Sequence, residues 1–290
     1  RELNYFGLPG PDIRDLIEWR DFLGWKTGVE YVERGRSADV EQQLRYVHVM
    51  QKNVMLNDLS SEWDLRKGSL ENIILDGVDI DGNPPAFLEI GPGKAPRLRY
   101  DLHNWDFQGG LGYHNGNNES RRVDAIKRCI ELQRGHSFLF FLTLNVRHTL
   151  NEEPSKYLTG QAREIISGKY QEILQWYAAQ GAAQRTDRYR TKALVPLVIR
   201  QAAHFHSFDC YCYPVVYYKG PRENLLHFVF RLRPVHTMLP AFSDQSISDV
   251  IDLAMVQISN GRFTIVKEEH PYWDCQRTTE TLQRLSLPPY

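Results

Sequence analysis

The sequence has little cysteine, and this scarcity excludes several kinds of site. Only four cysteines occur in 290 residues, and none has the Cys-x-x-Cys or Cys/His spacing of a zinc site. Cys210 and Cys212 flank Tyr211 in a strand-like run, so their side chains should share one face, where same-strand neighbours rarely form a disulfide. We therefore expect reduced thiols, no metal site and a cytoplasmic location.

Long apolar runs and net charge are lacking as well. The longest apolar run, Phe138 to Val146, is far shorter than the roughly 20 residues of a transmembrane helix, so we expect no membrane association. No signal peptide is recognisable, and since Arg1 opens within structured-looking sequence, we expect further residues upstream. A formal net charge of -1 removes any global electrostatic argument for nucleic-acid binding. The P-loop, the G-x-S-x-G elbow and the kinase signature are also missing, which removes support for those enzyme classes.

Apolar side chains, in contrast, are plentiful. Hydrophobic residues make up 42% of the chain and aromatic residues 12%, which is enough for a sizeable core. The first 60 residues alternate between strand and helix patterns: a strand end at Leu3–Phe6, a helix from the N-cap Asp12 to Gly24, a strand at Thr27–Val32, a helix at Ala38–Gln51 and a strand at Asn53–Leu59. This alternation predicts an α/β fold with a doubly wound, mostly parallel sheet.

The rest of the chain completes this sheet and extends it. Residues 68–97 interrupt the alternation, with a hairpin or exposed insertion at Asp76–Pro85. Before residue 236 we further predict a short strand at Phe87–Ile90, helices at Arg121–Gln133, Pro154–Ala179 and Leu194–His204, a buried strand at Phe138–Asn145, a basic linker at Arg185–Lys192, and an antiparallel hairpin of Asp209–Tyr218 with Leu225–Leu232. The last three predicted elements are a helix at Ser248–Ile258, a strand at Arg262–Lys267 and a helix at Thr278–Leu285. We therefore expect a Rossmann-like cofactor-binding domain over residues 1–235 and a small α/β accessory lobe over residues 236–290.

Two glycine-rich loops compete for the cofactor-binding turn of such a fold. A nucleotide cofactor needs a strand that ends in a glycine turn, a helix directly after it, and an acid about 20 residues further on. The loop Glu89-Ile90-Gly91-Pro92-Gly93 has the glycines but no helix after it, and a turn between two short strands is its alternative interpretation. The loop Phe6-Gly7-Leu8-Pro9-Gly10 is followed at once by a helix, and Glu30 or Glu33 stands 20 or 23 residues after Gly10. This second loop is the favoured one, with an ordinary N-terminal turn as its alternative.

The order of these features resembles that of the class I S-adenosylmethionine-dependent methyltransferases, over the topology of residues 3–233. The resemblance implies S-adenosylmethionine as the cofactor. It implies that Gly7 and Gly10 occupy the first glycine motif, that Glu30 binds the ribose hydroxyls, and that Asp58 lies on the adenine side. Tyr5-Phe6 stands where the family has an acid before the first glycine.

The loop Asn104-Trp105-Asp106-Phe107 falls at the end of the predicted fourth strand, where open α/β sheets place ligands. We expect Asn104 and Asp106 to be catalytic, holding the methyl acceptor with their oxygens. Trp105 and Phe107 offer faces on which a flat substrate such as a base could stack. Alternatively, Asp106 caps the following turn and the two rings belong to the core. Arg147 is a candidate for contact with an anionic ligand, with a surface salt bridge as the alternative.

Two functions are compatible with these features. The first is a methyltransferase whose acceptor is a nucleic-acid base, suggested by the aromatic loop and by the basic linker at Arg185–Lys192. The second is a catalytically degenerate Rossmann-like module that binds a nucleotide or a protein partner, with the C-terminal lobe as the surface for that partner. Trp105 and Asp106 replace both prolines of the D/N-P-P-Y/F loop of amino-group methyltransferases, which favours the second function.

Overall fold

The computed structural model describes residues 2–32, 38–90, 95–107, 109–111, 121–146, 187–219, 224–235, 255–259 and 262–266, together with Glu280 and Gln283. Within these residues the helices are α1 (Arg14–Trp19), α2 (Ala38–Leu56), α3 (Leu70–Asp76), α4 (Arg121–Leu132) and α5 (Asp187–Phe205). The strands are β1 (Leu3–Gly7), β2 (Leu23–Glu30), β3 (Trp63–Lys67), β4 (Glu89–Ile90), β5 (Pro96–Arg97), β6 (Leu102–Asp106), β7 (Phe138–Asn145), β8 (Phe208–Cys212), β9 (Val215–Lys219), β10 (Asn224–Pro234), β11 (Met255–Ser259) and β12 (Arg262–Ile265).

The main sheet is a doubly wound α/β sheet. Its strand order is β12-β11-β9-β10-β7-β6-β1-β2-β3, and β8 also pairs with β10. β7, β6, β1, β2 and β3 run parallel to one another, whereas β10 runs antiparallel to β7, β8 and β9. The order β3-β2-β1-β6-β7 is the 3-2-1-4-5 order of a Rossmann-like sheet. The predicted fold class, including the terminal antiparallel hairpin, is confirmed.

Helices cover both faces of this sheet, and the sheet separates the core into two clusters. On one face, Leu16 of α1 and Met50 and Val54 of α2 pack with Tyr5 of β1. On the other face, the side chains of α3, α4 and α5 pack with a larger set that includes Trp105 of β6. Successive residues of a strand point to opposite faces, so Tyr5 and Gly7 lie on the first face and Phe6 on the second. The same alternation decides which side chains of β6 can meet a ligand.

The N-terminal elements differ from their predicted bounds in two places. Asp12 was expected to cap the first helix, but the N-cap is Ile13, in a left-handed conformation with φ 46°, and Gly24 belongs to β2. The predicted strand at Asn53–Leu59 is wrong, because α2 continues to Leu56. Its buried Met50 and Val54 are four residues apart, which is a helical spacing. The third strand is β3, which begins at Trp63.

The region 68–97 contains a helix that the sequence did not predict. Ser69 caps α3 by accepting a hydrogen bond from the Asn72 N–H at 3.2 Å, and Gly77 ends the helix with φ 76°. Downstream, the Asp79 carboxylate accepts hydrogen bonds from the N–H groups of Asp81 and Asn83, which makes this stretch a compact turn. β4 and β5 then form a separate two-stranded sheet, in line with the alternative interpretation of the Glu89–Gly93 loop, whose residues 91–93 lie outside the described part.

The C-terminal half contains a broken strand and one wrongly predicted linker. The predicted strand at Asp209–Tyr218 is split into β8 and β9 around Pro214, because proline has no N–H for the sheet. The predicted basic linker is wrong from residue 187 onward, since these residues begin α5, in which Lys192 is buried. The predicted helical region Pro154–Ala179 lies outside the described residues.

The described strands of the C-terminal segment continue the main sheet. The predicted helix at Ser248–Ile258 is wrong for residues 255–258, which belong to β11, and the predicted strand at Arg262–Lys267 is confirmed as β12. β11 pairs with β9 in parallel, so backbone hydrogen bonds join this segment to the sheet of residues 1–235. Of the helices in the described ranges, none combines the length and the apolar character needed to cross a membrane.

Candidate functional site

The carboxyl ends of β1, β2 and β6 meet at the point where the strand order reverses. β1 lies between β2 and β6, and its last residue, Gly7, is paired with Gly28 on one side and Asn104 on the other. The chain leaves β1 toward β2 and leaves β6 toward β7, in opposite directions. Ligands of doubly wound sheets bind in the crevice that this reversal opens. The candidate site is therefore the edge formed by Gly7, Glu30 and Asp106.

Gly7 is required at its position by close packing. A Cβ atom there would lie 2.7 Å from the Tyr5 hydroxyl oxygen and closer still to the Asn104 carbonyl oxygen, which already accepts a hydrogen bond from the Leu8 N–H at 2.9 Å. Gly10 has φ 64°, which favours glycine, and open space where its Cβ would be. The predicted glycine turn therefore exists, and its backbone can be approached closely. Its contact with a cofactor stays a prediction.

Glu30 is the last residue of β2, beside the glycine turn. Burial raises the pKa of its carboxyl to about 7, although the Tyr31 backbone N–H acts in the opposite direction. Within the described part of the chain, Glu30 takes part in no ion pair. A half-buried acid with a raised pKa and no cationic partner is stabilised by a ligand that donates hydrogen bonds to it. The adjacent ribose hydroxyls of a nucleotide cofactor are donors of this kind.

Asp58 lies at the amino ends of the parallel strands, opposite the carboxyl ends that form the candidate site. It follows α2 in the turn that leads into β3, with φ 55°, and its N–H donates to the Met55 carbonyl oxygen. The end of β3 beside Glu30 is occupied instead by Lys67, which forms a 2.6 Å salt bridge with Asp81. The expectation that Asp58 lies on the adenine side is therefore wrong, because the third strand is β3 and not residues 53–59.

Three side chains that start from different elements converge next to Gly7. The Asp15 Oδ2 atom accepts hydrogen bonds from the Tyr5 hydroxyl at 2.7 Å and from the Asn104 Nδ2 atom at 2.8 Å. Burial raises the pKa of the Asp15 carboxyl, while these two donors lower it. We call Tyr5, Asp15 and Asn104 the Asp15 cluster. Sequence reasoning missed Asp15 and Tyr5, since 89 residues separate Asp15 from Asn104.

The predicted loop at residues 104–107 is largely strand. Asn104, Trp105 and Asp106 are the last three residues of β6, so they alternate between the two faces. Asn104 is almost fully buried, and its amide donates to Asp15, which gives that group a partner other than a methyl acceptor. Asp106 is exposed at the carboxyl end of β6, on the same face as Gly7. Of the two predicted catalytic residues, Asn104 is therefore covered by protein, whereas Asp106 is exposed to solvent.

The two aromatic side chains belong to the core, as the alternative interpretation held. Trp105 is 0% exposed and meets the Phe140 ring edge-on at 4.9 Å. Phe107 is 5% exposed, and the Arg122 guanidinium covers its ring at 3.8 Å from the centroid. The expectation that Trp105 and Phe107 stack on a substrate is therefore wrong. Arg147 lies outside the described residues.

A search of the described ranges for three or more His, Cys, Asp or Glu side chains that could hold a metal ion finds no such group. Cys129, Cys210 and Cys212 are free thiols, and burial raises the pKa of the Cys129 thiol.

No protein-family model and no curated protein matches the sequence. Among solved structures, the chain is similar to Trm1 from Pyrococcus horikoshii in complex with S-adenosyl-L-methionine, at 11% identity and a TM-score of 0.42, over 99% of this chain and 68% of that one. It is also similar to the YcgJ protein from Bacillus subtilis, at 9% identity and a TM-score of 0.33, over 81% of this chain and 93% of that one.

A third similar structure is a protein provisionally described as a transferase, also from Pyrococcus horikoshii. The identity is 8% and the TM-score 0.37, over 81% of this chain, which spans 58% of the length of that protein. These similarities concern the fold alone. The order and directions of the strands are those of a Rossmann-like sheet in which the antiparallel β10 follows the parallel β7.

Proposed function

We propose that this chain binds S-adenosylmethionine at the edge formed by Gly7, Glu30 and Asp106. Glu30 would accept hydrogen bonds from the ribose hydroxyls, and the backbone of the Gly7–Gly10 turn would take the remaining part of the cofactor. The observation that carries this proposal is the position of the half-buried Glu30 at the end of β2, beside the turn that begins at Gly7, where a Cβ atom does not fit. Burial, which raises the pKa of the Glu30 carboxyl to about 7, supports it. The residues present at this edge thus fit the cofactor.

The chemistry that the cofactor supplies is an electrophilic methyl group on a sulfonium. In transfer to a nitrogen acceptor, the nitrogen lone pair forms the new C–N bond, the C–S electron pair stays on sulfur, and the nitrogen releases one proton. The step needs alignment more than acid–base catalysis. Asp106 can hold an amino hydrogen of the acceptor and receive the released proton, because its carboxylate is exposed on the face of Gly7.

The acceptor we propose is a nucleic-acid base with an exocyclic amino group. The amino group of such a base donates hydrogen bonds, and a carboxylate such as that of Asp106 is the hydrogen-bond acceptor that it prefers. The base would not stack on Trp105 or Phe107, since both rings are covered by protein. A protein partner for the C-terminal segment remains a further proposal that no described contact bears on.

The test is transfer of a tritiated methyl group from S-adenosylmethionine to bulk tRNA and to single-stranded DNA. Asp106→Asn should reduce transfer at least about a hundredfold, because the amide cannot receive the proton. Asp124→Asn is the matched control, since Asp124 is an exposed acid of α4, and it should leave transfer unchanged. Equal loss in both variants, or no transfer by the unmodified chain, would reject the methyltransferase activity.

A second candidate function is cofactor binding without transfer. The observation that favours it is the Asp15 cluster, in which the Asn104 amide is held by Asp15 instead of facing an acceptor. This function predicts that calorimetry detects binding of S-adenosylmethionine while the transfer assay finds no labelled nucleic acid. Labelled product above background would reject it.

A further inference from the structure

A row of polar side chains continues across the sheet from Asp106, away from the glycine turn. Asp106 of β6 is paired with Thr143 of β7, and Thr143 is paired with His227 of β10. Tyr218 of β9 follows on the far side of β10, two residues beyond the partner of His227. The strand alternation puts these four side chains on the face that also carries Gly7. We call them the polar band.

The middle of the polar band is held by direct contacts. The Thr143 Oγ1 and His227 Nδ1 atoms are hydrogen-bonded at 3.0 Å. The imidazole also stacks on Phe141, with 5.9 Å between centroids and 28° between planes. Burial lowers the pKa of His227 to about 4, so the ring is neutral at neutral pH. A neutral, oriented imidazole can exchange hydrogen bonds with an uncharged ligand.

The two ends of the polar band are open to solvent. Asp106 is exposed, and Tyr218 is 40% exposed. Burial and the negative charge of Asp106 together raise the pKa of Tyr218, and the same charge acts on Tyr5 of the Asp15 cluster. The charge of Asp106 therefore acts both on Tyr5, beside the glycine turn, and on Tyr218, at the far end of the polar band. A side chain that lies between cofactor and methyl acceptor has to be near both sites.

The chemistry of the polar band selects among ligands. Its four side chains are a carboxylate, a hydroxyl, a phenol and an imidazole. A carboxylate favours an amino donor and repels a phosphate. The exposed Tyr218 ring offers a face for a flat ligand.

From this combination we propose that the polar band is the acceptor subsite, and that it binds an uncharged planar ring that carries an amino group. This inference rests on the proposed function for the role of the ring as acceptor. Binding of the ring itself can be tested without the cofactor. Cytosine, with its amino group, should be preferred to uracil, which has a carbonyl oxygen at the same position.

The experiment is an NMR titration with cytidine and with uridine, followed through the ring signals of histidines labelled at Cε1. His227→Gln identifies the His227 signal. Both titrations are run with and without saturating S-adenosylhomocysteine. We expect cytidine to shift the His227 signal and uridine to bind at least about fivefold more weakly, since the carboxylate would then face an oxygen.

Tyr218→Phe should weaken cytidine binding about fivefold, because it removes one hydrogen-bonding hydroxyl. Tyr211→Phe is the matched control, since Tyr211 is also 40% exposed but stands on β8 beside Arg231. A His227 signal that neither nucleoside shifts, or that both shift with equal affinity, would overturn the inference. Cytidine binding with no binding of S-adenosylhomocysteine would leave the subsite standing and reject the proposed cofactor instead.

Discussion

The carboxyl ends of β2 and β6 lie on either side of β1, yet they present their polar groups in different ways. Glu30 ends β2 half-buried and takes part in no ion pair within the described structure, and the Tyr31 backbone N–H is the protein donor that acts on its carboxyl. Asn104, two residues before the end of β6, is held by Asp15. The β2 end thus has the properties of a ligand site. At the β6 end, the Asn104 amide is held by the protein itself, and Asp106 is exposed to solvent.

The largest effect is expected from a side chain at Gly7, which lies at the end of β1 between the ends of β2 and β6. Gly7→Ala would place a Cβ against the Asn104 carbonyl oxygen, a backbone atom fixed by the β1–β6 pairing. We expect a loss of about 3 kcal/mol in the free energy of unfolding, measured by urea denaturation. Gly10→Ala is the control, since its Cβ would meet open space and only φ 64° is unfavourable, which costs about 1 kcal/mol. Equal losses would contradict the packing argument.

The next effect concerns the β6 end. Asp15→Ala leaves the Tyr5 hydroxyl and the Asn104 amide without their shared acceptor, and should lower the free energy of unfolding by about 2 kcal/mol in urea. Asp12→Ala, at an exposed acid three residues earlier, should change it by less than about 0.5 kcal/mol. If the two variants proved equally stable, the Asp15 cluster would not hold β6 to α1.

The smallest expected effect is the pH dependence of ligand affinity, which depends on Glu30 at the end of β2. With a pKa of about 7, Glu30 is half protonated at neutral pH, and hydroxyl donors from a ligand favour its ionised form. Ligand binding should therefore release a proton, and affinity should rise about tenfold from pH 6 to pH 8. Calorimetry at both pH values measures this, and Glu30→Gln should abolish the dependence. An affinity that falls with rising pH would contradict the assignment.

The same pKa has a consequence for stability in the absence of ligand. Because folding raises the pKa of Glu30 above its value of 4.5 in the unfolded chain, protonation favours the folded state. The stabilisation is fully present below pH 4.5 and is lost as pH rises through about 7.

The sequence predicted those parts of the site that depend on local rules. A glycine turn followed by a helix, and an acid 20 residues later, placed Gly7, Gly10 and Glu30 where the structure has them. The strand at Phe138–Asn145 followed from its continuous apolar character, and its bounds agree with β7.

The errors arose where local patterns are ambiguous or where contacts are distant. The run Asn53–Leu59 is short and apolar, and periodicity alone cannot separate a strand from the last turns of a helix there. The alternation of Asn104, Trp105, Asp106 and Phe107 is a strand pattern, but its place after a predicted strand favours a loop. The Asp15 cluster and the polar band join residues from several strands and a helix, so no local pattern could reveal them.

The central claim is that Glu30 and the glycine turn bind S-adenosylmethionine, and calorimetry with S-adenosylmethionine tests it most directly. Glu30→Ala should weaken binding about 10- to 100-fold, through loss of hydrogen bonds to a charged acceptor. Asp58→Asn, at the opposite edge of the sheet and in a backbone conformation that asparagine tolerates, should bind as the unmodified chain does. No binding at millimolar S-adenosylmethionine, or equal weakening by both substitutions, would contradict the account.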